Sequence, residues 1–171
     1  MPAHRRQGCR RSVMFRIGIG HDTHRLAESR PLILGGVTIP FDFGSDGHSD
    51  GDALTHAITD AILGALSEGD LGVHFPDSDS QWKDADSLEL LSRVVWLAHE
   101  RGFAVENVDA NVMLERPKLR PHIELMRENL AKALNVEVGC VSVKAKTGEG
   151  MDAVGSGQAV SAQAVVLLRK N

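Results

Sequence analysis

The chain has 171 residues, 42% apolar and 25% charged, with a formal net charge of −4, which suits one soluble domain with a buried core. There is no Tyr and only 4% aromatic content, which together with the acidic balance argues against nucleic acid as a partner. No apolar run is long enough to span a membrane.

Residues 1–13, MPAHRRQGCRRSV, hold four Arg and no acid, so the rest of the chain carries about −8. They lack the apolar stretch of a secretory signal. The expectation is a disordered basic extension over 1–13 and one domain over 14–171. Cys9 and Cys140 lie far apart and show no ligand spacing, which fits a reducing cytoplasm.

Residues 14–19, MFRIGI, read as a strand, and 31–40 as a short strand pair turned at Gly35-Gly36. DFGSDG reads as a loop. A helix follows, capped by Ser49 or Asp50, with Leu54, Ile58, Ala61, Ile62, Ala65 and Leu66 as its apolar stripe. Residues 71–86 read as a long polar loop, of a length that is often functional. A second helix spans 86–101 and stops at Gly102. Val108, Ala110, Val112 and Leu114 alternate in a strand over 103–115. Pro117 and Pro121 bracket a turn before a third helix over 121–134. Strands over 141–147 and 159–170 close the chain, joined by a glycine-rich loop. The expected fold class is α+β: a single domain with a mixed sheet whose helices cover one face, strands from both chain ends sharing that sheet.

Three stretches carry chemistry. In GIGHDTHRL, Asp22 and His24 are two apart and point the same way in an extended chain. In GHSDGDALTH, His48, Asp50, Asp52 and His56 are metal-capable, and Asp60 follows one turn on. Asp52, His56 and Asp60 share one helix face. Two imidazoles and a carboxylate make a catalytic-zinc pattern with a fourth position open. Spacing alone leaves His48 and His56 as alternatives for the third ligand. ERPKLRPH places Lys118 in a proline-braced cationic turn suited to a phosphate or base edge. KAKTGEGMDAVGSG runs Lys144, Lys146 and Thr147 into a glycine-rich loop, where backbone N–H groups approach anions closely. No nucleophile elbow or reactive-cysteine context is present.

Taken together, RIGIGHDTHRL, PLILGGVTIP, GHSDGDALTHAITDAILGAL, GDLGVHFPDSD, NVDANVMLERPKLRPH and the KAKT–glycine segment resemble the 2-C-methyl-D-erythritol 2,4-cyclodiphosphate synthase family, from Arg16 to the C-terminus. The resemblance implies a cytoplasmic homotrimer with active sites between subunits. Asp22, His24 and His56 would hold Zn2+ or another divalent metal, and Mg2+ or Mn2+ would accompany the substrate diphosphate. His48 and Ser49 would meet the substrate phosphates. Asp70 and Gly72 would meet the ribose and methylerythritol end, with Phe75 and Asp77 in the pocket wall. Leu114, Lys118 and Leu119 would line a cytidine pocket, and Lys146, Thr147 and Glu149 the phosphate-side loop. Where many members carry Phe and Arg in the late glycine loop, this chain has Ala153 and Ser156, which leaves Lys146 to carry part of the positive charge there. The implied reaction is a lyase-type cyclisation with release of CMP. A zinc phosphohydrolase and a non-catalytic trimeric nucleotide-binding module are the competing readings.

Overall fold

The computed structural model describes residues 14–76, 78–83 and 85–171. The expectations for residues 1–13 and for Asp77 fall outside them. The elements are β1 (Phe15–Glu28), β2 (Leu32–Leu34), β3 (Val37–Ile39), β4 (Phe43–Asp46), α1 (Ala53–Leu66), α2 (Leu71–His74) and α3 (Ser87–Glu100). Then follow β5 (Phe103–Met113), α4 (Ile123–Leu134), β6 (Val141–Lys146), α5 (Asp152–Gly155) and β7 (Ala159–Lys170).

Five strands form one sheet in the order β4-β1-β7-β5-β6. β5 and β6 run parallel and the other neighbours antiparallel, so the sheet is mixed. The two chain ends do share it, through β1 and β7. β2 and β3 pair separately, and Gly35 and Gly36 both have positive φ, the conformation their tight turn demands. Alternation along β7 buries Val160, Ala162, Ala164, Val166 and Leu168 against the helices. Among the described residues no long helix covers the other face of the sheet, and Ile17 and Ile19 stand 73% and 63% exposed there.

α1 lies directly on β1. A Cβ on Gly18 would sit 1.8 Å from the Ala61 carbonyl oxygen, and one on Gly20 would sit 2.0 Å from that of Ala57. These two glycines let helix and strand backbones touch. Arg16 ties the far end, its guanidinium donating to the Ala65 and Leu66 carbonyls at the α1 C-terminus.

The structure corrects four expectations. β1 runs well past residue 19, pairing with β7 from Phe15 opposite Arg169 to Arg25 opposite Ala159. Its apolar pattern stops at Gly20 because the next inward positions face a cleft rather than the core. The stretch read as the DFGSDG loop contains β4, which pairs Phe43–Asp46 with the end of β1. Residues 71–86 are not structureless. Asp70 caps α2 by accepting from the Val73 N–H, and Asp79 caps a 3-10 turn over Ser80–Trp82. Finally, Asp52 caps α1, not Ser49 or Asp50.

The Asp52 cap is fully buried. It accepts from the Thr55 N–H at 3.0 Å, the Thr55 hydroxyl at 2.8 Å and the Gly36 N–H at 2.8 Å. Burial pushes its carboxyl up, partly offset by those bonds. Asp52→Ala removes the cap and strands two further donors, so we expect a loss of about 3 kcal/mol or more in a denaturant titration. A loss below about 1 kcal/mol would show that the surroundings re-satisfy these groups.

Candidate functional site

Asp22 and His24 project from β1 on the face that meets α1. His56 lies in the first turns of that helix, immediately before Ala57, whose carbonyl touches Gly20. The strand–helix contact therefore sets the distance between the two halves of the site. His24 Nε2 and His56 Nδ1 each lie 2.9 Å from Asp22 Oδ2. The two ring nitrogens are 3.3 Å apart.

Three ligand atoms thus converge within a few ångströms, and among the described residues this is the one group placed to hold a metal ion. The separation of the two nitrogens fits the donor set: tetrahedral zinc with bonds of 2.0–2.1 Å to nitrogen separates its ligand atoms by about 3.3 Å. Burial alone would raise the Asp22 carboxyl. Hydrogen bonds and charge from His24 and His56 outweigh it and hold the group well below its ordinary value. Burial alone would lower the His56 imidazole, but the Asp22 carboxylate raises it. The two directions are two sides of one charge-assisted contact, which keeps the Asp22 carboxylate ionised, the form in which it can hold a divalent cation.

The alternative between His48 and His56 is resolved by position, since His56 joins the triad and His48 lines the cleft outside it. Asp52 and Asp60, on the same helix face as His56, serve other ends. Asp52 is the buried cap, and Asp60 accepts from the Leu71 N–H at 2.7 Å, pinning α2 beside the site. Burial raises the Asp60 carboxyl. His21 points to the opposite sheet face, its Nε2 3.1 Å from the Ser161 hydroxyl.

A cleft of about 580 Å³ opens over the triad, and His48, Ser49, Asp70, Gly72 and Phe75 all line it. Trp82 packs edge-on against Phe75 and forms part of the wall, a role its sequence context did not signal. The second set of expected residues lies elsewhere. Lys146 ends β6, and the Thr147 hydroxyl donates to Glu149 at 2.5 Å. Leu114 and Leu119 are both 3% exposed and belong to the core. Pairing places Thr23, Ser161, Met113 and Lys146 in one row across β1, β7, β5 and β6. Three strand spacings, about 14 Å, separate the row's ends. One chain therefore does not bring the Lys146 cluster to its own triad.

Fold and site define a two-layer α+β protein with three side chains in an open cleft placed so that they could hold a divalent cation. The YgbB family matches residues 15–169, and the chain belongs to that family. It is 58% identical over 155 residues to the 2-C-methyl-D-erythritol 2,4-cyclodiphosphate synthase of Salinibacter ruber, covering 91% of this chain and 99% of that one. A solved IspF from Plasmodium falciparum in complex with CDP superposes with a TM-score of 0.81 at 34% identity, covering 92% of this chain and 97% of that one. The bifunctional IspDF from Campylobacter jejuni superposes with a TM-score of 0.88 at 39% identity, covering 92% of this chain and 42% of the longer one. No helix among the described residues is long and apolar enough to cross a membrane.

Proposed function

We infer that the chain carries out the lyase reaction for which its relatives are named. It converts 4-diphosphocytidyl-2-C-methyl-D-erythritol 2-phosphate to 2-C-methyl-D-erythritol 2,4-cyclodiphosphate and CMP. The observation that carries this reading is the Asp22–His24–His56 triad at the floor of a cleft wide enough for a nucleotide. An oxygen of the 2-phosphate forms a bond to the β-phosphorus. The bond from that phosphorus to the bridging oxygen breaks, and its electron pair leaves with CMP. A phosphate monoester is already anionic near neutral pH, so no side chain need act as base, in keeping with the absence of a nucleophilic triad.

Catalysis then consists of positioning and charge compensation. Asp22, His24 and His56 would hold the divalent ion, and the donor set of two imidazoles and a carboxylate suits zinc. When bound, it supplies Lewis-acid stabilisation of phosphoryl charge, and Mg2+ or Mn2+ neutralises the diphosphate. His48 and Ser49, beside the triad, orient the phosphates. Asp70 and Gly72 face the ribose and methylerythritol end. Lys146 contributes a mobile ammonium to the phosphates, with Thr147 and Glu149 beside it. Leu114, Lys118 and Leu119 shape the cytidine end. Incubation with the substrate tests the reaction. Cyclic product with equimolar CMP is expected, whereas a free monophosphate would favour a zinc phosphohydrolase.

The reading includes a cytoplasmic homotrimer with active sites between subunits. Two observations support assembly. The Lys146 cluster is three strands away from its own triad, so in this reading a neighbouring copy supplies it. The sheet face that no long helix covers is apolar where Ile17 pairs with Leu167 and Ile19 with Val165, a surface that favours burial against another copy. Ile19→Lys is expected to give monomers in sedimentation that retain zinc but lose turnover, since the triad lies within one chain. A variant that stays trimeric and active would remove this face from the interface.

A further inference from the structure

The metal-facing ring of His56 is held from behind by a serine on a different helix. Ser87, the first residue of α3, is fully buried, and its Oγ lies 2.9 Å from His56 Nε2. Asp50 grips Ser87 with both oxygens. Oδ2 accepts the Ser87 backbone N–H at 3.0 Å, and Oδ1 accepts from the Ser87 hydroxyl. The loop before α1, the start of α3 and the ring on α1 meet at this point, distant in sequence and locked in space.

We propose that Ser87, polarised by Asp50, is the positioning residue that fixes the His56 ring with Nε2 protonated and the Nδ1 lone pair turned to the cation site. The argument is one of proton counting. A carboxylate only accepts hydrogen bonds, and a serine has a single O–H to give. That proton goes to Asp50. The Ser87 oxygen then offers His56 only lone pairs, so the Nε2 it faces must carry hydrogen. Nδ1 faces Asp22 and His24, with Asp22 Oδ2 2.9 Å away, so without a cation Nδ1 donates to that carboxylate; a cation held by the triad would take the place of the Nδ1 hydrogen, while Nε2 keeps its own. Ser49 also places its Oγ 3.0 Å from Nε2. No carboxylate fixes the direction of its hydroxyl in this arrangement, so it accommodates either tautomer. On the Nε2 side, the Asp50–Ser87 pair sets the polarity.

The inference rests on the reading of Asp22, His24 and His56 as cation ligands, and it extends that reading to two residues that touch neither cation nor substrate. Zinc affinity is measured by chelator competition on the full chain, with folding followed by circular dichroism. Imidazole NMR of the zinc-loaded protein reports the His56 Nε2–H. Ser87→Ala is expected to weaken zinc binding about tenfold to a hundredfold and to speed solvent exchange of that proton. Ser87→Thr, which keeps the hydroxyl, restores both. Asp50→Asn is the second variant. Its amide oxygen can accept the Ser87 N–H while its NH2 donates to the hydroxyl oxygen. The serine O–H is thereby released towards Nε2, which favours the wrong tautomer and lowers zinc affinity on the same scale. Folded Ser87→Ala and Asp50→Asn proteins with unchanged zinc affinity and an unchanged Nε2–H signal would overturn the proposal, even if their melting temperatures fell. Failure of the unsubstituted protein to bind zinc would overturn the ligand reading instead.

Discussion

His56→Ala is expected to remove the bound divalent ion and to lower turnover about a thousandfold or more, with the fold retained. Metal-ion stabilisation of phosphoryl charge is worth several kcal/mol, and each 1.36 kcal/mol is tenfold in rate. The substitution deletes one of three converging ligand atoms and leaves Asp22 and His24 with an open side. His56 is buried at the edge of the cleft, but its neighbours in the core are supplied by Leu54, Ile58 and the other residues of the α1 stripe. The helix should therefore survive. Elemental analysis of the purified protein and a cyclisation assay check the result. Stoichiometric zinc with normal turnover would reject the ligand assignment and return His48 as the candidate.

Gly20→Ala is expected to act at a distance on the same site. The added Cβ meets the Ala57 carbonyl oxygen at 2.0 Å and the Ala61 nitrogen at 2.7 Å. Both are backbone atoms, so no rotamer change relieves the overlap, and α1 must move off β1. Forced expansion of a packed contact costs about 1–3 kcal/mol. Here it also displaces His56, the residue preceding Ala57, from Asp22 and His24. The melting temperature and the zinc affinity should fall together. Gly139→Ala is the control, because a Cβ there meets nothing within 4 Å and its φ is not positive. If Gly20→Ala melted like the unsubstituted protein, the close strand–helix approach would not be what holds the two halves of the site.

The local patterns legible in the sequence were those of helix and turn. The apolar stripe of α1, the spacing Leu91, Val94, Val95 and Ala98 in α3, and the Gly35-Gly36 turn all depend on near neighbours. The reading from the sequence therefore matches the structure there. The donor set was legible too, because Asp22, His24, His48 and His56 are chemically conspicuous wherever they fall. The sequence makes β1 too short because its next inward side chains after Gly20, Asp22 and His24, face the cleft, so the apolar alternation that marks a strand stops while the pairing with β7 continues.

What tertiary structure alone decided were choices between equivalent neighbours. Asp52 caps α1 in preference to Asp50 because the Gly36 N–H, far back in the chain, adds a third donor to its carboxylate. Asp50 is left to grip Ser87, and Ser87 to hold His56 across an interval of 31 residues. His56 joins the triad and His48 does not, because Gly18 and Gly20 let α1 settle onto β1 at that turn. Composition and periodicity determined which elements form and which chemistry is available. Which side chains meet was decided by contacts between segments remote in sequence, since the energies that select them arise only when those backbones are brought together.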